Sequence, residues 1–243
     1  KITEAALERA TTPRTRLVVF NNPQNPAARV YSREELQVLA DWCLRHDLIA
    51  ICDEVWEHVV FDGRTHVPLF TLPGMSGRCV KIGSAGKIFS LTGWKVGWAT
   101  GPAELVARVR AIKQLLTFAG GTPLQHAAAV GMALGDERVA ALAGELRAKR
   151  DRLAAGLRDA GFAVLASAGT YFLNADARPL GEEDAIGLCQ RLPHEAGVVA
   201  IPLSAFSTAP DGPVRSIVRF AFCKRDEVLD EACRRLASLT RAH

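Results

Sequence analysis

Residues 84–98 read SAGKIFSLTGWKVGW, a stretch that directly follows an apolar run. It places two cations, Lys87 and Lys95, among glycines, hydroxyls and tryptophans. A lone lysine in a loop is ordinarily an exposed, solvated one. A phosphate-binding loop of the GxxxxGK[ST] type is excluded, because Lys81 stands at the first glycine position and Ile88 follows Lys87 where Ser or Thr is required. A third reading is a Schiff-base lysine, whose pKa must be depressed by desolvation and by neighbouring positive charge. Phe89, Trp94 and Trp98 are candidates for the first influence, and Lys95 for the second.

Working outward, residues 79–83 (CVKIG) form an apolar run that leads into the stretch, and residues 94–99 read as a further strand. Upstream, residues 16–21 (RLVVFN) close on the turn cluster NNPQNP, and residues 48–52 (LIAIC) form a buried strand that ends at Asp53. Between them Ser32-Arg-Glu-Glu fits a capping box, with Leu36, Leu39, Ala40 and Cys43 following at helical spacing. Residues 103–116 read as an amphipathic helix. Strands that alternate with helices predict an α/β fold with a mostly parallel sheet covered on both faces. After Gly121 the composition shifts. Residues 123–160 read as an almost continuous helix, followed by strand-like segments at 163–166, 171–175, 198–202 and 218–222 and by helices at 183–191 and 225–240. The expected organisation is a large domain over 1–122, a connecting long helix over 123–160 and a small α+β domain over 161–243.

The bulk numbers exclude several classes. Of 243 residues, 49% are hydrophobic and 23% charged, which is a globular balance without a tilt towards disorder. A net charge of +4, with Lys and Arg scattered, argues against a nucleic-acid or membrane-surface partner. The six cysteines show no CxxC pair and sit mostly in apolar runs; they read as buried thiols of a cytoplasmic protein, without a disulfide framework or a metal site. No apolar run reaches the roughly 18 residues of a membrane span. The opening KITEAALERA reads as a polar amphipathic helix and not a signal peptide.

Ligands in parallel α/β sheets collect at the carboxyl ends of strands. Asn25-Pro26, Asp53 and Ser84-Ala-Gly-Lys87 fall at three such ends. A carboxylate at the end of an apolar strand is partly buried and wants a cationic partner. Asp53 is therefore either a capping or salt-bridged aspartate, or the partner of a ligand cation such as a pyridinium nitrogen.

Taken in order, NNPQNP, CDEVWEHVVFDG, IGSAGKIFSLTGWKVGW and VRFAFCKRDEVLDEA resemble the class I/II aminotransferases, the fold-type I enzymes that use pyridoxal 5′-phosphate. The branch it is most similar to holds the kynurenine, methionine and N-succinyldiaminopimelate aminotransferases. The resemblance covers essentially the whole chain, including TYFLNADARPLGEEDA and GVVAIPLSAF, and implies the aspartate aminotransferase-like fold. It implies that Lys87 forms the internal aldimine and shuttles the α-proton, and that Asp53 pairs with the pyridine nitrogen and keeps it protonated. By the same resemblance Asn25 hydrogen-bonds the ring's 3′-oxygen, while Ser84 and Lys95 hold the cofactor phosphate. Arg219 grips the substrate α-carboxylate, a bidentate task that suits a planar fork. Trp56 stands where the family usually has a tyrosine, and its indole N–H is the available donor there. Ala28 replaces a glycine of the family's turn.

The resemblance implies a transaminase that acts on an α-amino acid and a 2-oxo acid as a homodimer. A cysteine-conjugate β-lyase on the same scaffold is the alternative reaction class. The family's N-terminal phosphate-binding loop is absent from the sequence, so a truncated, non-catalytic piece is the third expectation. Tyr171 and Phe172 read as core packing, His58 as a packed or exposed histidine, and Trp94 and Trp98 as core residues that keep the site dry.

Overall fold

In the computed structural model, which describes residues 2–239, strands β1 (Leu17–Asn21), β2 (Ile49–Asp53) and β3 (Cys79–Ser84) pair in parallel in that order. They belong to a first unit made of the chain up to Pro23 together with Val30–Ala141. Strand β4 (Gly97–Thr100) adds to β3 in the antiparallel direction. The sequence suggested a strand from residue 94. The chain cannot extend that early, because Thr92–Trp94 is a 3-10 turn and Lys95 adopts a left-handed conformation at φ 55°. The strand begins only after that reversal.

Helix α1 (Glu4–Ala10) is followed by α2 (Arg33–Arg45), whose start is set locally. Ser32 accepts from the Glu35 backbone N–H, the Glu35 carboxylate accepts from the Ser32 N–H, and the expected Leu36, Leu39, Ala40 and Cys43 are all buried. That stripe packs on Phe20, Ala50, Cys52 and Cys79 of the sheet. Each buried leucine contributes about 1.5–3 kcal/mol. The opposite face departs from expectation at β1: Val18 and Phe20 point to the α2 core, whereas Leu17 and Val19 are exposed, Val19 by 68%.

A four-residue helix, α3 (Ala85–Ile88), carries Lys87 directly off β3. Helix α4 (Ala103–Leu116) has the predicted bounds and no buried residue. The long helix expected over 123–160 is divided into α5 (Thr122–Met132) and α6 (Asp136–Asp159), with Gly135 between them at φ 84°.

The second unit comprises Gln24–Arg29 and the chain from Leu142 onward, so the division falls inside α6. Strands β5 (Ala163–Val164), β6 (Phe172–Asp176), β7 (Ile201–Pro202) and β8 (Ile217–Ala221) form an antiparallel sheet in the order β5-β6-β8-β7, accompanied by α7 (Ala185–Glu195) and α8 (Asp226–Leu239). Its core gathers Leu157, Leu173, Leu192, Val218 and Phe222, and the rings of Phe162 and Phe220 meet edge to face at 5.8 Å. Helices α6 and α8 approach through Gly156, where a Cβ would lie 2.2 Å from the Cys233 sulfur. Among the described residues no helix is long and apolar enough to cross a membrane.

Candidate active site

In the first unit, the register of β3 against β4 sets Ser84 opposite Gly97 and Gly83 opposite Trp98. The glycines are required by close approach. A Cβ on Gly97 would lie 2.7 Å from the Gly83 carbonyl oxygen, and one on Gly83 would lie 2.4 Å from the Trp98 ring. Beside this crossing Ser84, Lys87, Thr92 and Lys95 line a cavity of about 350 Å³ whose lining includes no carboxylate. Lys95 has no ion-pair partner among the described residues, and its left-handed backbone costs an L-residue about 1–2 kcal/mol. Two lysines, two hydroxyls and no acid make an environment for an oxyanion such as a phosphate monoester. The structure therefore brings Ser84, Lys87 and Lys95 together. It adds Trp56, only 2% exposed, whose ring centroid lies 5.1 Å from the Lys87 Nζ. Trp94 and Trp98, expected in the core, are only half-buried.

Asp53 closes β2 opposite Ile82 of β3, two residues before Ser84. Its carbonyl accepts from the Asn22 N–H (3.1 Å) and from the Asn21 side-chain amide (2.9 Å). Its carboxylate takes one long contact, from the Val55 N–H at 3.4 Å, and its second oxygen has no hydrogen bond among the described residues. A half-buried carboxylate with open acceptor capacity fits a protonated ring nitrogen.

Pleat alternation turns the next residue to the other face. Glu54 shares the side of Ala50 and Cys52, is fully buried, and accepts from the Leu69 N–H at 3.1 Å. Its Oε2 lies 3.0 Å from the His66 Nε2 and 4.0 Å from the Lys81 Nζ, and Lys81 also pairs with Glu57. Glu54, Glu57 and His66 offer ligand atoms within 4.8 Å of one another, a spacing that a cation could use. The Lys81 ammonium already acts as the cation between the two carboxylates. His58 is partly exposed, 3.8 Å from Glu57. Nothing in the composition marked this group; strand alternation carried one residue past Asp53 would have pointed to it.

In the second unit Arg219, on β8, is 8% exposed and has no acidic partner among the described residues. Its Nη1 donates to the Asn25 Oδ1 at 2.7 Å, and its guanidinium carbon lies 4.1 Å from the Phe172 ring and 4.6 Å from the Phe206 ring. Burial pushes its pKa below the usual range for arginine. A desolvated guanidinium held between aromatic rings and an amide is a receptor for a carboxylate. Phe172, expected in the core, is part of that receptor, and Phe206 was not foreseen. The Asn25 turn is held within the same unit: the Asn174 side-chain amide donates to the Pro26 carbonyl (2.9 Å), and the Ala168 N–H donates to the Ala28 carbonyl (2.8 Å).

Two of the buried core thiols, Cys43 and Cys52, are poor nucleophiles. Burial pushes Cys43 up to about 12, and Cys52, hydrogen-bonded to Cys79 and buried, is raised further.

A model of the family described as aminotransferase class I and II matches residues 1–236. The probable N-succinyldiaminopimelate aminotransferase DapC of Mycobacterium tuberculosis is 52% identical over 241 residues, covering 96% of this chain and 61% of that protein. Kynurenine–oxoglutarate transaminase 3 of Mus musculus is 39% identical over 244 residues, covering 93% of this chain and 53% of its own. The solved structure of N-succinyldiaminopimelate aminotransferase from Mycobacterium tuberculosis matches with a TM-score of 0.95 at 53% identity, over 98% of this chain and 62% of that one. The chain thus spans little more than half to three-fifths of the length of these relatives, and the expected family and fold class are borne out. With the motifs and fold in agreement with the family match, the related proteins and the solved structure, the chain belongs to the aminotransferase class I and II family.

Proposed function

We propose that the protein is a pyridoxal 5′-phosphate-dependent transaminase that moves an amino group between an α-amino acid and a 2-oxo acid. The observation that carries this reading is the acid-free cavity in which Ser84, Lys87 and Lys95 converge. Ser84 and Lys95 hold the phosphate, by hydroxyl donation and by charge. Lys87 binds the cofactor through Nζ and afterwards carries the substrate's α-proton on that same atom, while the Trp56 ring bounds the space around it. Asp53 holds a proton on the ring nitrogen through its open carboxylate oxygen. When bound, the cofactor supplies an electron-accepting pyridinium ring.

Asn25 donates to the ring's 3′-oxygen through its amide nitrogen while its Oδ1 fixes Arg219, and Arg219 takes the α-carboxylate of the substrate. On this reading residues 1–122 are the C-terminal part of the large cofactor-binding domain, 123–160 the connecting helical segment and 161–243 the small domain. The enzyme works as a homodimer in the cytoplasm. The exposed apolar side chains of Ile112, Leu115, Leu116 and Phe118 support a partner on that surface.

The test uses the whole protein supplied with pyridoxal 5′-phosphate and a panel of amino donors, with 2-oxoglutarate as acceptor. N-succinyl-diaminopimelate is the first donor, because the 52% identical relative carries it in its name. Turnover should need the acceptor and disappear in Lys87→Ala. Turnover retained by that variant refutes the assignment. Pyruvate and ammonia released from a cysteine conjugate without an oxo acid replaces it with a lyase.

A further inference from the structure

We propose that Asn22, His66 and Glu54 are positioning residues that close a hydrogen-bonded ring around the Asp53 peptide, with His66 fixed as the tautomer protonated on Nε2. The functional part of this inference rests on the role given to Asp53 above; the ring itself does not.

The ring is read link by link. The Asn22 N–H donates to the Asp53 carbonyl at 3.1 Å, and Glu54 follows Asp53 through its own peptide bond. The Asn22 side chain lies 3.4 Å from the His66 Nδ1, and the His66 Nε2 lies 3.0 Å from the Glu54 Oε2. Asn22 and Glu54 are fully buried, and the His66 side chain is nearly so. Buried polar groups of this kind are expensive unless every donor meets an acceptor.

Donor counting then places the hydrogens. The Asn22 Oδ1 accepts from the Tyr31 N–H at 3.1 Å, which orients the amide and turns its NH₂ group to His66. An amide NH₂ only donates, so the His66 Nδ1 must be the unprotonated acceptor. The ring hydrogen is therefore on Nε2, where the Glu54 carboxylate receives it. The other Glu54 oxygen takes the Leu69 N–H, and Lys81 lies 4.0 Å from Oε2. The Asp53 carboxylate is held by a single long contact to Val55, so the aim of its side chain depends on the peptide that this ring clamps.

Two readings of the whole protein test this. The ¹⁵N shifts of the His66 ring, assigned by comparison with His66→Gln, read the tautomer and need no cofactor. The second reading is the pH midpoint of the bound cofactor's visible absorbance. His66→Leu removes the donor and the acceptor and should move that midpoint by about one pH unit. His66→Gln supplies an amide that can replace both links and should restore it. Glu54→Gln should also move it, because its amide oxygen is committed to Leu69 and its NH₂ then faces a ring nitrogen that already donates.

Nε2-protonated His66 together with these shifts supports the proposal. A ring protonated on Nδ1, alone or on both nitrogens, overturns it. So does an unmoved midpoint in folded His66→Leu or, should that variant not fold, in Glu54→Gln. A protein that takes up no cofactor at all refutes the proposed function instead, and the ¹⁵N pattern alone then decides whether the ring exists.

Discussion

Replacing Arg219 by lysine keeps the charge and removes the fork, and so isolates what the guanidinium contributes. Arg219 is desolvated, donates to Asn25 at 2.7 Å, and lies against two aromatic rings at 4.1 and 4.6 Å. The contact to Asn25 uses one Nη, which leaves the remaining N–H groups of the planar fork to take both oxygens of a carboxylate. An ammonium on a flexible stem takes one oxygen well, and loses the stacking preference of the flat guanidinium for the Phe172 and Phe206 rings. A charge-assisted hydrogen bond lost in a buried site is worth about 1.5–3 kcal/mol. At about 1.4 kcal/mol per decade, Arg219→Lys should lower kcat/KM about 10- to 100-fold for an amino-acid donor. The assay is a matched pair of donors, an α-amino acid and the amine left when its carboxylate is removed, measured on wild type and variant with thermal midpoints as a folding control. The amine should lose less than about threefold, since it never used the fork. An equal loss for both donors would show that Arg219 serves the fold and not the carboxylate.

Three further outcomes follow from particular contacts. Gly97→Ala puts a Cβ 2.7 Å from a backbone oxygen that cannot swing aside, so it should destabilise the protein by about 1–3 kcal/mol and weaken phosphate binding beside Ser84; an unchanged denaturation midpoint rejects the close approach. Ala28→Gly relieves a left-handed residue at φ 55° worth about 1–2 kcal/mol, yet loses a fully buried methyl worth about 0.8 and about 0.5–1 in backbone entropy. The net change should stay within about 0.8 kcal/mol, and a denaturation shift above about 1 in either direction would break that balance. Asp176, hydrogen-bonded by the Arg178 side chain and buried at the end of β6, is held at about 2 against an ordinary value near 3.8. A depressed carboxylate stabilises above its unfolded value and loses that contribution as pH falls from about 4 to about 2. Allowing for the exposure of Arg178, the loss should be about 1–2 kcal/mol, seen as a steeper acid destabilisation of wild type than of Asp176→Asn; parallel curves would remove the effect.

What the sequence makes legible is local. Helix α2 can be read residue by residue because its capping box and its buried stripe both lie within one 13-residue span. The start of β4 cannot, because a left-handed lysine is a backbone choice that no propensity marks, and the whole direction of the strand depends on it. Arg219 and Asn25 lie 194 positions apart, so their hydrogen bond is invisible to any window, and only the family resemblance named both. Glu54 falls between these cases. The alternation of β2 puts it with Ala50 and Cys52, but a buried carboxylate is credible only once His66 and Lys81 are seen against it. Its partners come from a loop and a neighbouring strand, which is why DEVW reads as a strand end and a cap before it reads as a network.

The same logic sorts the three lysines that crowd residues 81–95. Lys81 is still inside β3, paired in register with Cys52, and the pleat sends it to the α2 face, where Glu57 and Glu54 meet it. Once β3 ends at Ser84 the chain coils into α3, and period two no longer governs which way a side chain points. Lys87 and Lys95 then share a cavity that no carboxylate lines. Elsewhere the chain shows how it treats a lysine that needs only to be soluble: Lys149 on α6 pairs with Glu145 one turn away. With acids readily placed beside Lys81 and Lys149, their absence from the Ser84–Lys95 cavity is a property of that cavity. An anion that enters this cavity meets the charge of Lys95, which has no ion-pair partner among the described residues.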